Sequence, residues 1–408
     1  MSSSPETQSR RGALELHQRA FLDRFGRSGG EPLLCFAPGR VNLFGAHLDY
    51  NGGPVMPTAI DRGTFLALRP RSDGRVLLAA EREEQVFEGR HGELPDQASG
   101  AWFDYPLGVI RDMALPGEAG SRELPGLELL AGGDLPIGAG LSSSASICVG
   151  TAFGMDLLAG GGEGPEDWIR HALAAERGFV GVKCGIMDPH AVGLARPGHL
   201  LWLDCRDGSH QHIPLDFDSV AVAVADTGVR RELAAGEFNR RVEQCAAAYG
   251  QLSGAARDRG LDVQCLRDVP LDVLEEHAAR LDPVLLRRAR HVITEVQRAL
   301  AAREALQAGD AREMGRLMLE TQRSLREDFE VSSPELDTLI ESASRAKGAF
   351  GGRLTGAGFG GCAVILLEAG AEDEVREALQ TGFEEKHGRR PEVAFYRGDA
   401  GPRRVLLD

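Results

Sequence analysis

The chain has 408 residues, 42% of them hydrophobic and 26% charged, an ordinary globular composition at a length that suits two cores. Its formal charge of −15 speaks against wrapping nucleic acid, and no apolar run reaches the 18 residues a membrane helix needs. The seven cysteines are odd in number, scattered and without a CxxC pair, which argues against both a disulfide framework and a zinc site.

The N-terminal MSSSPETQSRR lacks the apolar stretch of a secretory signal, so reduced thiols in the cytoplasm are expected. The only lysines are 183, 347 and 386, so no GxxxxGK[ST] loop can be written. An acidic protein still binds ATP where local arginines and amides outweigh the overall field.

In chain order, residues 13–26 carry apolar side chains at helical spacing and end on Gly26, which predicts a surface helix. LLCFAPGRVNLFG reads as a strand broken at Pro38-Gly39 and resumed, and AHLDYNGG (46–53) ends in a strong turn signal. PVMPTAIDRGTFLALRP and RVLLAAEREEQVFEG alternate like strands. Residues 102–114 look helical, with Trp102 and Tyr105 one turn apart on one face, and PGEAGSRELPG reads as a loop. A helix over 165–179 leads through GVKCGIMDPHAVGL to the strand GHLLWLDCR. The composition changes near 213–219, where SVAVAVADTG begins, so the domain boundary is placed there: 1–214 and 215–408. The second half is richer in helix, ending with the strand EVAFYR.

The stretch Gly138 to Gly150, GAGLSSSASICVG, is the centre of this organisation. It reads as strand, flexible loop and helix start. Serines suit the cap of a new helix, whose first amides lack partners, and those amides with the helix dipole favour an anion such as phosphate. The plainer alternative is a Ser-capped helix after a glycine turn. Gly356 to Gly361 formally matches GxGxxG, yet it runs into the strand CAVILLE rather than a helix, so the dinucleotide reading is rejected. It joins two strands, or packs its backbone close against an active site.

Asp188 precedes a proline and on its own reads as a turn residue; the functional alternative is a carboxylate orienting a substrate hydroxyl. Glu176, late in a helix solvated on one side, reads as a surface charge, or with a serine hydroxyl as a Mg²⁺ ligand. Arg40 reads as a surface arginine, or as a charge clamp beside a transferring phosphoryl group. Trp102 and Tyr105 suit plain packing or a platform for a base.

Three motifs carry a resemblance. APGRVNLFGAHLDYNGG (37–53) resembles the galactokinase signature, usually GRVNLIGEHTDYNGG; DLPIGAGLSSSASICVG resembles the ATP-binding motif of the GHMP kinases; RLTGAGFGGCAVIL resembles their third motif. The likeness extends over nearly the whole chain beyond the first 30 residues.

The resemblance implies an α+β, two-domain GHMP kinase fold: a ribosomal-protein-S5-like N-terminal domain with a left-handed crossover, a ferredoxin-like C-terminal domain, and the active site between them. It implies transfer of the ATP γ-phosphoryl group to the anomeric hydroxyl of a sugar, with Mg²⁺. Asp188 matches the catalytic carboxylate and Arg40 the charge stabiliser. Ser144 and Glu176 match the Mg²⁺ ligands. Gly138, Gly140, Leu141, Ser142, Ser143 and Ser144 match the phosphate loop, and Trp102 and Tyr105 the segment near the adenine. Ala46, His47, Asp49, Gly185, Asp188 and Phe238 occupy the sugar-contact positions. Partners are then ATP and a sugar, with no nucleic acid or membrane, in a monomer or weak homo-oligomer.

The departures concern the sugar. Ala46 stands where the family carries a glutamate understood to bind the C6 hydroxyl, and Phe238 where it carries a tyrosine; Pro189 replaces a common glutamine, with no assignable consequence. Losing a charge-assisted bond costs ~1.5–3 kcal/mol, about one to two decades in specificity. A galactose-configured ring altered at C6, such as galacturonate, arabinose or fucose, therefore fits the expectation. A non-catalytic sugar sensor is the competing class, disfavoured because Ser144-Ala145, Arg40, Asp188 and Glu176 are all kept. A non-sugar acceptor such as mevalonate or homoserine is disfavoured by the HLDYNGG segment.

Overall fold

The computed structural model describes residues 5–115, 124–135, 140–230 and 234–407, with side chains from residue 10 and, past the third break, from residue 236. Residues 116–123 of the expected loop over 116–126, and Gly138, lie outside the described residues.

The chain begins with helix α1 (Pro5–Phe25), closed by Gly26 at φ 77°, in agreement with the expected surface helix though longer at its start. Strands β1 (Leu33–Asn42), β2 (Pro54–Val55), β3 (Pro57–Arg71), β4 (Arg75–Ala80), β5 (Glu83–Arg90) and β6 (Gly126–Gly133) follow, with helix α2 (Asp104–Ala114) before β6. β1 is not broken at Pro38-Gly39 as expected. It runs through, with a register shift against β3 between Pro38 and Arg40 that accommodates the proline.

Helices α3 (Ser143–Leu158), α4 (Pro165–Leu173) and α5 (Met187–Gly193) come next. Between α4 and α5 the expected helix over 165–179 changes to a π turn over Ala174–Val180, whose wider winding turns Glu176 inward. Strands β7 (His199–Asp204) and β8 (His210–Pro214) pair with β2 in a three-stranded sheet.

The second half holds strand β9 (Val220–Asp226), helices α6 (Ala234–Asp258), α7 (Leu271–His277), α8 (Pro283–Gln307), α9 (Ala311–Glu327) and α10 (Pro334–Arg345), strands β10 (Ala349–Thr355) and β11 (Cys362–Glu368), helix α11 (Glu372–His387), and strands β12 (Glu392–Tyr396) and β13 (Arg403–Val405). The helix starts are legible chemistry. Asp282 accepts from the amides of Val284 and Leu285 with Pro283 next to it, and Ser333 accepts from Leu336 with Pro334 next to it.

The first sheet has order β13-β1-β3-β6-β4-β5, antiparallel except for β4 beside β6. Its apolar side chains pack on α2, α3 and α4 across one face, while Phe21 and Leu22 of α1 cover the other. The second sheet has order β10-β11-β9-β12, all antiparallel. β9 and β11 are its centre, which is why VAVAVAD and CAVILLE are almost continuously apolar. Both cores of this second half take residues from the first. Leu43, Phe44 and Met56 join one, and Ala46, Leu48 and Val55 join the other. The segment after β1 is therefore wedged between the halves. No described helix is long and apolar enough to cross a membrane.

Candidate active site

Arg40 sits near the end of β1, buried, and aims its guanidinium across the sheet end toward the start of α5. Its Nε donates to Asp188 Oδ1 at 2.7 Å and its Nη2 to Asp188 Oδ2 at 2.8 Å, a bidentate pair. Its Nη1 donates to the Gly140 carbonyl at 2.6 Å, and its own amide to the Leu141 carbonyl at 3.1 Å. Arg40 is thus no surface arginine. Asp188 is no turn residue either: it is the second residue of α5, and Pro189 occupies the first turn, where no amide hydrogen is required.

The serine loop departs from expectation in one useful respect. Ser142 takes the N-cap position of α3 in a left-handed conformation, φ 60°, yet its side chain makes no capping bond. Its Oγ donates to Asp188 Oδ2 instead. The cap is therefore open, and with the helix dipole that leaves an anion-binding end. Leu141 turns its side chain into the core.

Ser143 and Ser144 line a cavity of about 270 Å³ together with Trp102, Tyr105 and the edge of β6. Trp102 lies just before α2 rather than within it. Its Nε1 donates to the Gln85 carbonyl at 2.9 Å, which fixes the ring against the β4–β5 hairpin. The cavity is apolar enough for a flat heteroaromatic ring, and it opens onto the start of α3.

Glu176 is 4% exposed, not the solvated charge its helical position suggested. Burial pushes its carboxyl up to about 7, opposed by a hydrogen bond from Ser144. A hydroxyl and a carboxylate side by side are hard oxygen donors of the kind Mg²⁺ takes, keeping waters and phosphates for its other positions. The residues present fit that ion.

A second cavity, of about 160 Å³, is lined by both members of the Arg40–Asp188 pair. All six positions expected to contact the sugar, Ala46, His47, Asp49, Gly185, Asp188 and Phe238, line it. Gly185 fits for a steric reason, because a Cβ there would overlap the Asp49 carboxylate. Burial, with the nearby Asp188 charge second, pushes Asp49 up to about 6. Burial likewise holds His47 down to about 3, so its ring is neutral.

The motif positions missed two lining residues of consequence. Asn42 shares the face of β1 with Arg40, two residues away, and that alternation was the available signal. Its Oδ1 is buried without a partner, as is Nε2 of His47. Two orphaned polar atoms in one cavity wall are what a polyhydroxylated ligand would satisfy. Arg353 of β10, the other, is fully buried and donates to the carbonyls of Leu43 at 2.7 Å, Leu354 at 2.6 Å and Asn42 at 2.5 Å. Burial lowers it to about 10, so it stays charged at neutral pH and ties the second sheet to the end of β1. The glycine-rich loop after β10 also closes on the site. A Cβ on Gly356 would lie 3.1 Å from Cα of Gly140, and Gly356 and Ala357 line the second cavity.

Comparison with known proteins bears on this geometry. Residues 19–70 match the galactokinase galactose-binding signature, 104–196 the GHMP kinases N terminal domain and 302–385 the GHMP kinases C terminal. The chain is 43% identical over 371 residues to a galactokinase of Chloroflexus aggregans, covering 90% of this chain and 92% of that protein. It is 40% identical over 385 residues to a galactokinase of Bos taurus, covering 91% of each. Its fold is similar to that of Lactococcus lactis galactokinase complexed with galactose, with a TM-score of 0.88 at 30% identity, over 96% of this chain and 100% of that one.

Proposed function

The chain belongs to the galactokinase family of the GHMP kinases, and from that premise we propose that it transfers the γ-phosphoryl group of ATP to the C1 hydroxyl of galactose or a galactose-configured sugar. The products are the sugar 1-phosphate and ADP. The observation that carries this reading is the bidentate Arg40–Asp188 pair, bonded to Ser142 at the start of the serine loop and exposed to the second cavity.

In this reading the adenine lies against Trp102 and Tyr105, and the phosphates run to the open end of α3. The sugar fills the second cavity, held by Asp49, by His47 Nε2 and by Asn42 Oδ1. Asp188 accepts a hydrogen bond from the anomeric hydroxyl and aims its oxygen at the γ-phosphorus. The transition state is loose, so the attacking oxygen gains little bond order early and alignment does most of the work. Asp188 then takes the proton as the new P–O bond forms. Arg40 holds the carboxylate in place and offsets charge on the transferring group. Ser144 and Glu176 would hold Mg²⁺, which when bound neutralises phosphate charge.

We place the division between the two units at 214/215, with β13 returning to the first sheet. The seven unpaired cysteines support a reducing compartment such as the cytoplasm. The test is ADP release with galactose, ATP and Mg²⁺; a sugar-binding sensor would bind galactose and release no ADP.

One observation favours a second reading of the acceptor. Ala46 is 3% exposed in the cavity wall beside Phe238, and neither side chain offers a polar atom. A sugar lacking the C6 hydroxyl, such as arabinose or fucose, needs none there, and galacturonate would escape the repulsion of a glutamate. Comparing kcat/KM across these sugars in the native protein and in Ala46→Glu decides between them. A native preference for galactose by about a hundredfold, the scale of one charge-assisted bond, would reject the second reading.

A further inference from the structure

The loop that carries Ala46 and His47 is built in an unfavourable conformation. Gly45 has φ 81° and His47, which has a Cβ, has φ 59°. A non-glycine residue held left-handed is disfavoured by roughly 1–3 kcal/mol and persists where its surroundings over-determine it. Here the loop's own residues hold two carbonyls, Asn51 Nδ2 that of His47 at 2.8 Å and the Leu48 amide that of Gly45 at 3.2 Å, and one face of α8 holds the backbone between them.

Glu295 of α8 is 0% exposed, and its Oε1 accepts from the amides of Gly45 at 3.1 Å and Ala46 at 3.2 Å. Its Oε2 is held by Thr321 Oγ1 at 2.9 Å and Arg298 Nε at 2.8 Å. One turn earlier, His291 Nε2 lies 3.1 Å from the Ala46 carbonyl. A carbonyl only accepts, so Nε2 carries the hydrogen and donates. Both polar groups of Ala46's backbone are thus bonded to α8, immediately before the residue that turns left-handed. His47 then lines the second cavity, with Nδ1 2.9 Å from Tyr50 Oη, while Nε2 finds no partner of good geometry although the Ala357 backbone stands close by.

We propose that Glu295 and His291 are positioning residues for the sugar: from the second half of the chain they grip the Gly45–Ala46 backbone and so hold His47 Nε2 at the height where it meets a sugar hydroxyl. The inference rests on the sugar-kinase reading of the second cavity. It assigns sugar affinity, and not nucleotide affinity, to a pair of residues outside that cavity's lining.

The test uses the full chain, two single variants and a third as control. Glu295→Gln keeps the size, but its amide presents donors to one pair of existing donors. His291→Phe keeps a ring against Phe329, 4.5 Å away between centroids, and removes the bond to Ala46. Each is expected to raise the KM and the calorimetric Kd for the sugar about tenfold or more, with the KM for ATP within about twofold; tenfold corresponds to ~1.4 kcal/mol. Thr338→Val is the control, since it strips buried bonds to the Pro334 carbonyl and to His387 without touching α8 or the loop, and should lower Tm with sugar KM unchanged. If Glu295→Gln does not fold, His291→Phe carries the test alone. A lowered Tm with sugar KM and Kd within about twofold of native in the folded variants would overturn the proposal. Native protein that binds sugar but releases no ADP would refute the kinase reading instead, and the calorimetric Kd would still test the grip.

Discussion

Arg40 and Asp188 are 148 positions apart and meet in a two-bond pair, Nε to Oδ1 at 2.7 Å and Nη2 to Oδ2 at 2.8 Å. The pair joins the end of β1 to the first turn of α5, and Ser142 closes on the same carboxylate. One cluster thus ties together the end of β1, the start of α5 and the serine loop.

Replacing Asp188 by Asn keeps the shape and, in the proposed mechanism, removes the acceptor for the hydroxyl proton. Steady-state kinetics should show kcat lower by about 10²–10⁴, the usual contribution of a positioned acid or base. The KM for ATP should move by less than about threefold. A kcat within about tenfold of native would remove Asp188 from the chemistry.

Trp102 makes the opposite split. Its ring is fixed through the Gln85 carbonyl and faces the cavity at the start of α3. Trp102→Ala should raise the KM for ATP roughly tenfold, in line with ~1–3 kcal/mol for a stacked base, and leave the sugar KM unchanged. An unchanged KM for ATP would place the adenine elsewhere.

Gly185 tests the sugar wall sterically. Its backbone suits any residue, yet a methyl there collides with the Asp49 carboxylate. Gly185→Ala should therefore raise the sugar KM about tenfold or more by displacing Asp49 and leave the KM for ATP near native. A Tm close to native would show that the change is local.

Asp49 also links stability to pH. Its carboxyl is raised from 3.8 to about 6, first by burial and then by Asp188. Between those values the unfolded chain ionises and the folded one resists, so folding loses stability as pH rises from about 4 to 6, and the loss persists above. Asp49→Asn never pays that cost. At pH 8 the variant should be more stable, by about 1–3 kcal/mol given the partial exposure of the site, with the advantage fading as pH falls from 6 toward 4. It should at the same time lose sugar affinity. Calorimetric melts at pH 4 and pH 8 check the sign.

The fold and much of the site were legible where local chemistry spoke. Gly26 ends α1, the apolar runs VAVAVAD and CAVILLE lie at the centre of the second sheet, and the three motifs marked residues that line two cavities. What stayed hidden depended on distant partners. Glu176 looked solvated because nothing near it announces a π turn. Ser142 looked like a cap because its partner, Asp188, is 46 positions away. Pro38 looked like a strand break because the β3 register that absorbs it is not local. Glu295 and Arg353 carry ordinary side chains whose partners are backbone groups some 250 and 310 positions away, and no periodicity points to those.

The most direct measurement is phosphorus NMR of the product formed from ATP, Mg²⁺ and galactose, run beside the C6-altered sugars with ADP release followed in parallel. One equivalent of ADP for each phosphate on the anomeric oxygen, with both lost in Asp188→Asn, is the expected result. ADP without sugar phosphate, phosphate at another hydroxyl, or full turnover in Asp188→Asn would contradict the account.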